Sequence, residues 1–148
     1  MIQRVQTIYL IGSIVLFVLM LCFPLGYFVL GTNISSFDFR GVQIGPDFHH
    51  TLAISVILFI AVICEIIALI LYRNRLLQMR LVTFNTLLQI AFYIALVSYI
   101  FLYKGEFKVT YSVNWTAFLP LLTIVLNILA YRAIRKDEAL VRSLNHLR

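Results

Sequence analysis

The sequence predicts an all-α membrane fold: a bundle of four transmembrane helices, N-in and C-in, with a small antiparallel β cap formed by the two outer loops. Three observations predict it. The 148 residues are 62% hydrophobic with a mean hydropathy of +0.98, against about 45–50% apolar in soluble domains. A chain this short cannot hide so much apolar surface in a water-soluble core. The apolar residues also gather into four runs of about the 20 residues that cross a hydrocarbon core of roughly 30 Å as helix, and lipid leaves backbone polar groups no partner but their own helix. Finally, nine Lys and Arg fall on one side of these runs and three on the other, which places the nine in the cytoplasm.

Taken in order, the spans are about 7–30, 51–72, 81–103 and 115–134, in a single membrane domain covering 1–148. The first follows Arg4 and is 24 residues long. A cleavable signal has a core of about 7–15 apolar residues followed by a small-residue site, so this span is read as a retained anchor. The turn from Arg73 to Arg80 makes spans two and three an antiparallel hairpin. Tyr27, Phe28, Phe48, Tyr99, Tyr103 and Trp115 are expected at the outer interface and Tyr9, Tyr72 and Tyr131 at the inner one, where amphipathic rings prefer to sit.

In the outer loops, Phe37-Asp38-Phe39-Arg40, Val42-Gln43-Ile44 and Phe107 to Val113 alternate in polarity. This period of two predicts a sheet of two or three strands. Gly45-Pro46-Asp47 then turns into span two, with Asp47 as its expected cap. Pro24 and Pro120 are expected inside or near the outer ends of spans one and four, as candidate kinks. The tail, 135–148, carries Leu140, Val141, Leu144 and Leu147 on one stripe. It is expected to be an amphipathic helix on the inner leaflet or against a partner.

Glu65 is the one acid within a span, and an intramembrane ionisable group is by default a functional candidate. It lies seven residues before Tyr72, about 10 Å inside the interface at a rise of about 1.5 Å per residue. The same depth holds Ser13, Asn85, Gln89 and Asn127. Ala61 and Ala68 flank Glu65 on its own face and allow close helix approach. Two readings stand: a polar layer that sets helix register, with Glu65 protonated or bonded to the amides, or a proton- or ion-coupling carboxylate.

A metal at His49 and His50 would need a third or fourth ligand, such as Asp38 or Glu106, and the pair reads instead as amphipathic interface residues; Cys22 and Cys64 read as apolar filling, and Asn33-Ile34-Ser35 is a bare sequon match. No metallohydrolase, nucleophile-elbow, phosphate-loop or dinucleotide motif is present, so no catalytic residue, metal or cofactor is expected. The basic charge lines membrane edges and points to anionic lipid headgroups rather than nucleic acid.

Three blocks carry a resemblance: the opening Met1-Ile2-Gln3-Arg4-Val5-Gln6-Thr7-Ile8-Tyr9-Leu10, the turn Arg75-Leu76-Leu77-Gln78-Met79-Arg80-Leu81, and the tail Ala130-Tyr131-Arg132-Ala133-Ile134-Arg135-Lys136-Asp137-Glu138 with Leu140-Val141-Arg142-Ser143-Leu144. In these the chain resembles a family of four-helix membrane proteins of Bacteroidota, a domain of unknown function. Asn145-His146 departs from the acidic-basic pair expected there. The resemblance implies a bacterial inner membrane with a periplasmic outer side, and no activity. It draws attention to Arg75, Arg80, Arg132, Arg135, Asp137, Glu138 and Arg142 as a cytoplasmic interaction surface. The mixed charges of the tail, from Arg132 to Arg142, would dock a partner or the turn at 73–80, with Arg135–Glu138 and Glu138–Arg142 at helical pair spacing. The functional expectation is a non-enzymatic accessory or assembly subunit binding protein or lipid. The alternative is a small transporter or channel, acting as a homo-oligomer, with Glu65 in its path.

Overall fold

The computed structural model describes residues 2–44 and 47–146, apart from the side chains of 2–4, 142 and 144–146. Helix α1 is Ile2–Cys22, α2 Leu52–Ile70, α3 Arg75–Phe107 and α4 Leu119–His146. Strands β1 (Gly26–Leu30), β2 (Asn33–Asp38), β3 (Gly41–Ile44) and β4 (Asp47–His50) separate α1 from α2, and β5 (Thr110–Val113) separates α3 from α4. All four helices are long and apolar enough to cross a membrane. Each of α1 and α3 packs against both α2 and α4, so helices consecutive in sequence are neighbours in space.

The strands form one antiparallel sheet in the order β4-β3-β2-β1-β5. Gly31, at φ +62°, opens the two-residue turn between Leu30 and Asn33, where a positive φ matches the twist of a hairpin. Phe28 packs edge-on against Phe37 and Tyr103, with ring centroids 5.4 and 5.8 Å apart. One apolar cluster joins the sheet to the helices through Phe17, Met20, Phe28, Phe37, Leu58 and Phe92. A second, at the far end of the bundle, is built of Leu10, Ala68, Val82, Ala130 and Ile134. The start of α2 is tied to the sheet by Thr51 and Ser55, whose hydroxyls both donate to the Phe39 carbonyl at 3.2 and 2.6 Å.

The structure moves several boundaries. The first span ends at Cys22, not residue 30. Pro24 disfavours helix in the residue before it, and Gly26–Leu30 pairs with β2 and β5 instead. Tyr27 and Phe28 therefore stand in a strand, and Phe28 and Tyr103 are buried rather than interfacial. The cap has five strands rather than two or three, because β1 comes from residues assigned to span one and β4 from Asp47 to His50, read as the end of a turn and the mouth of span two.

Asp47 lies in β4, and Thr51 takes the N-cap position of α2. The turn residues Gly45 and Pro46 lie outside the described residues. Helix α3 starts at Arg75 and runs to Phe107, beyond both expected ends. Trp115–Phe118 is a short 3-10 turn, after which Pro120 is the second residue of α4, where its missing N–H costs nothing. The tail is a direct continuation of α4. Leu140 and Val141 are exposed on it, while Leu147 and the Leu144 side chain lie outside the described residues.

Candidate functional site

Between the two apolar clusters every helix contributes a polar side chain. Ser13 falls between Leu10 and Phe17 on α1, and Glu65 between Ala61 and Ala68 on α2. Asn85 and Gln89 fall between Val82 and Phe92 on α3, and Thr123 and Asn127 between Leu119 and Ala130 on α4. All six polar residues are at most 1% exposed. Their spacings of three, four and seven keep each on the inward stripe of its helix.

The Asn85 amide donates from Nδ2 to Oε2 of Glu65, a bond that a neutral or an ionised carboxyl can accept. Ser13 lies against the same carboxyl, although its Oγ makes no hydrogen bond of standard geometry. Thr123 donates to the Pro120 carbonyl at 2.7 Å, within its own helix. Glu65 Oε1, Asn85 Oδ1, Gln89 Oε1 and both polar atoms of Asn127 have no partner among the described residues. Glu65 and Asn85 are thus joined directly, whereas Asn127 is brought to the same level without a bond to either. Ala61 and Ala68, 0 and 1% exposed, border the acid on its own helix.

A second tier of polar residues was not expected from the sequence. Gln6 donates to the Ala133 carbonyl at 3.2 Å, joining α1 to α4. Gln78 donates to the Ala68 carbonyl at 3.0 Å, serving one of the acceptors left open at the end of α2. Gln6 precedes Ser13 by seven residues and Gln78 precedes Asn85 by seven, so a search for heptad recurrence would have found both. Tyr93, four residues after Gln89 on α3, serves a different end. It donates to the Ala117 carbonyl at 2.9 Å and accepts from the Leu121 N–H at 3.1 Å, closing the open start of α4.

At the helix end far from the sheet, Arg75 pairs with Asp137 at 3.1 Å and donates to the Asp137 backbone carbonyl at 3.0 Å. The extension of α4 is thereby held against the start of α3. Glu138 lines a hollow of about 630 Å³ with Arg73, Arg75 and Val141. Arg80, Arg132 and Arg135 are exposed, and they border two adjoining grooves between α3 and α4 of about 370 and 380 Å³. The Arg142 side chain lies outside the described residues.

At the sheet end, His49 packs on Phe107 and Tyr103, with centroids 4.9 and 5.9 Å apart, and His50 packs on Phe48 at 4.7 Å. Burial raises the Asp38 carboxyl above its ordinary range, opposed by the charge of Arg40. Among the described residues no three of His, Cys, Asp or Glu gather as a metal site, and Cys22 and Cys64 are free thiols.

A family model described as a domain of unknown function matches residues 2–147. No curated protein matches the chain.

Proposed function

The chain belongs to the DUF4293 family, a domain of unknown function, and from this premise we propose that it is a non-enzymatic accessory or assembly subunit of a bacterial inner membrane. In this reading the four helices span the bilayer, the sheet faces the periplasm and both termini lie in the cytoplasm. The charge count along the sequence supports that orientation, with nine basic residues in the terminal segments and the α2–α3 turn and three in the segments that join α1 to α2 and α3 to α4.

The observation that carries the proposal is the packing around Glu65. Phe17, Leu58 and Phe92 on one side and Leu10, Ala68 and Ile134 on the other, all at most 1% exposed, close the polar layer above and below. Such a layer specifies which helix faces which, since an unpaired buried polar group is costly in any other arrangement. The bundle then holds α4 rigid. About 18 Å of that helix, at a rise of about 1.5 Å per residue, continues beyond Ile134, fixed by Arg75 and presenting Leu140 and Val141 beside its charges. A surface of this kind suits a protein partner.

The test is purification from native membranes in mild detergent, with mass spectrometry of co-eluting proteins. A stoichiometric partner is expected, lost on deletion of residues 135–148 and retained in Glu65→Gln. A partner-free homo-oligomer would count against the proposal. The second reading, Glu65 as a coupling carboxylate, draws on its unpartnered Oε1 and predicts the reverse: Glu65→Gln abolishes proton-coupled flux in vesicles and the tail deletion does not.

A further inference from the structure

We infer that the groove between α3 and α4 is a binding site for one anionic phospholipid, its phosphate held by Arg132, Arg135 and Arg80 and an acyl chain laid along Leu87. The inference rests on the proposal that the helices span a bilayer, and it specifies a ligand that the accessory-subunit reading leaves open.

Two adjoining grooves of about 370 and 380 Å³ share Thr83, Leu87 and Tyr131, and so form one continuous depression. Arg80 borders one part, and Arg132 and Arg135 border the other. All three arginines are exposed, near the end of the bundle far from the sheet. The groove is therefore cationic at the headgroup level of the proposed topology and apolar deeper down, where Leu87 is 58% exposed. An amphiphile with a negative head matches that polarity. A guanidinium suits its phosphate better than a point charge would, because the planar fork can donate two hydrogen bonds at once.

Asn127 is the independent observation. It is 0% exposed, both its amide atoms lack a partner, and it lines the groove. It sits five residues before Arg132, about one and a half turns deeper along α4. A turn of its side chain outward would let Nδ2 donate to a glycerol ester carbonyl below the phosphate, giving the orphaned amide the partner it lacks.

The acids of the tail do not oppose this charge. Asp137 is held by Arg75, and Glu138 borders the separate hollow at the α2–α3 turn. Among the described residues no acidic side chain lines either part of the groove.

The test uses the full chain purified in detergent, titrated with phosphatidylglycerol and separately with phosphatidylcholine, with bound lipid counted by native mass spectrometry. One phosphatidylglycerol should be retained in preference to phosphatidylcholine. Arg132→Gln with Arg135→Gln should weaken it by about tenfold or more, as the loss of two surface cations near a lipid phosphate predicts. Arg73→Gln with Lys136→Gln removes equal charge outside the groove and should change binding by less than about twofold. Leu87→Trp, at an exposed position, should fill the groove and weaken binding without altering charge.

Equal retention of the two lipids, equal loss in both double variants, or unchanged binding in Leu87→Trp would each overturn the inference. A chain that purifies with a protein partner yet shows no lipid preference loses this inference alone. A chain absent from the membrane fraction loses both readings.

Discussion

Glu65 and Asn85 form one unit across α2 and α3. In Glu65→Gln the new side chain keeps an acceptor for Asn85, so stability in a detergent denaturation series should change by less than about 1 kcal/mol. Asn85→Leu leaves the Glu65 carboxyl buried with its donor gone, and should cost about 2–3 kcal/mol, the range for orphaning a buried polar group. Equal losses in the two variants would mean that the pair is not acting as a donor–acceptor unit.

Tyr111 is the counterpart in the sheet. Its hydroxyl donates to the Leu25 carbonyl at 3.1 Å, and its ring occupies the space a Cβ at Gly26 would need. Burial pushes its phenol up to about 12 from 10.0. A folded-state value above the unfolded one means the folded chain holds the proton more tightly. The associated stability is therefore complete below pH about 10 and is lost as pH rises toward about 12. Tyr111→Phe should remove that part of the alkaline loss, read as the difference between wild-type and variant melting curves across this window. An unchanged pH dependence would show that other groups govern the transition. Gly26→Ala should destabilise by about 1–3 kcal/mol, because the added methyl displaces a packed ring.

Individual elements differ in how far local pattern determined them. The period of two in Val42-Gln43-Ile44 reads correctly as part of β3, where Val42 and Ile44 are buried on either side of the exposed Gln43. Residues 24–30 do not read that way. They are as apolar as the helix before them, and only Pro24, Gly26 and the Gly31-Thr32 turn mark the change. Their strand forms because β2 and β5 supply hydrogen bonds on both edges, and β5 lies some eighty residues further along the chain.

The α4 extension is also an element-scale matter. Its helical character is legible in the sequence, but its docking is not, since the Arg75–Asp137 bond joins residues 62 apart. Arg75→Ala should raise hydrogen exchange across residues 135–146 while lowering global stability by less than about 1 kcal/mol, because a partly exposed ion pair contributes little. The charge-swapped pair Arg75→Asp with Asp137→Arg should recover part of the protection. If exchange in the tail is unaffected, α4 is held there by other contacts.

The whole molecule is a bundle closed at one end by a sheet and extended at the other by a helix. At about 1.5 Å per residue the 33 residues of α3 run about 50 Å, well beyond a hydrocarbon core of about 30 Å. Its end near the sheet reaches beyond the hydrocarbon core in the proposed topology. That orientation makes a direct prediction. With Cys22 and Cys64 replaced by alanine, a cysteine at Ser112 should react with an impermeant maleimide from the periplasmic side, and one at Ala139 only after the inner membrane is opened. The opposite pattern would invert the topology and move the arginine-lined groove to the other leaflet.

The sequence by itself determined the four apolar runs, the shared level of Ser13, Glu65, Asn85, Gln89 and Asn127 along their helices, and the lopsided basic charge. Each follows from hydropathy, helical period or counting, which are properties of short stretches of chain. Only the tertiary structure decided that Asn85, rather than Gln89 or Asn127, meets Glu65. It also decided that residues 26–30 leave the helix for a five-stranded sheet, that Asp137 is spent on Arg75, and that α3 and α4 diverge into a groove with Asn127 in its wall. These depend on which distant segment arrives opposite, and a partner's hydrogen bonds and shape are not encoded in a residue's own neighbours.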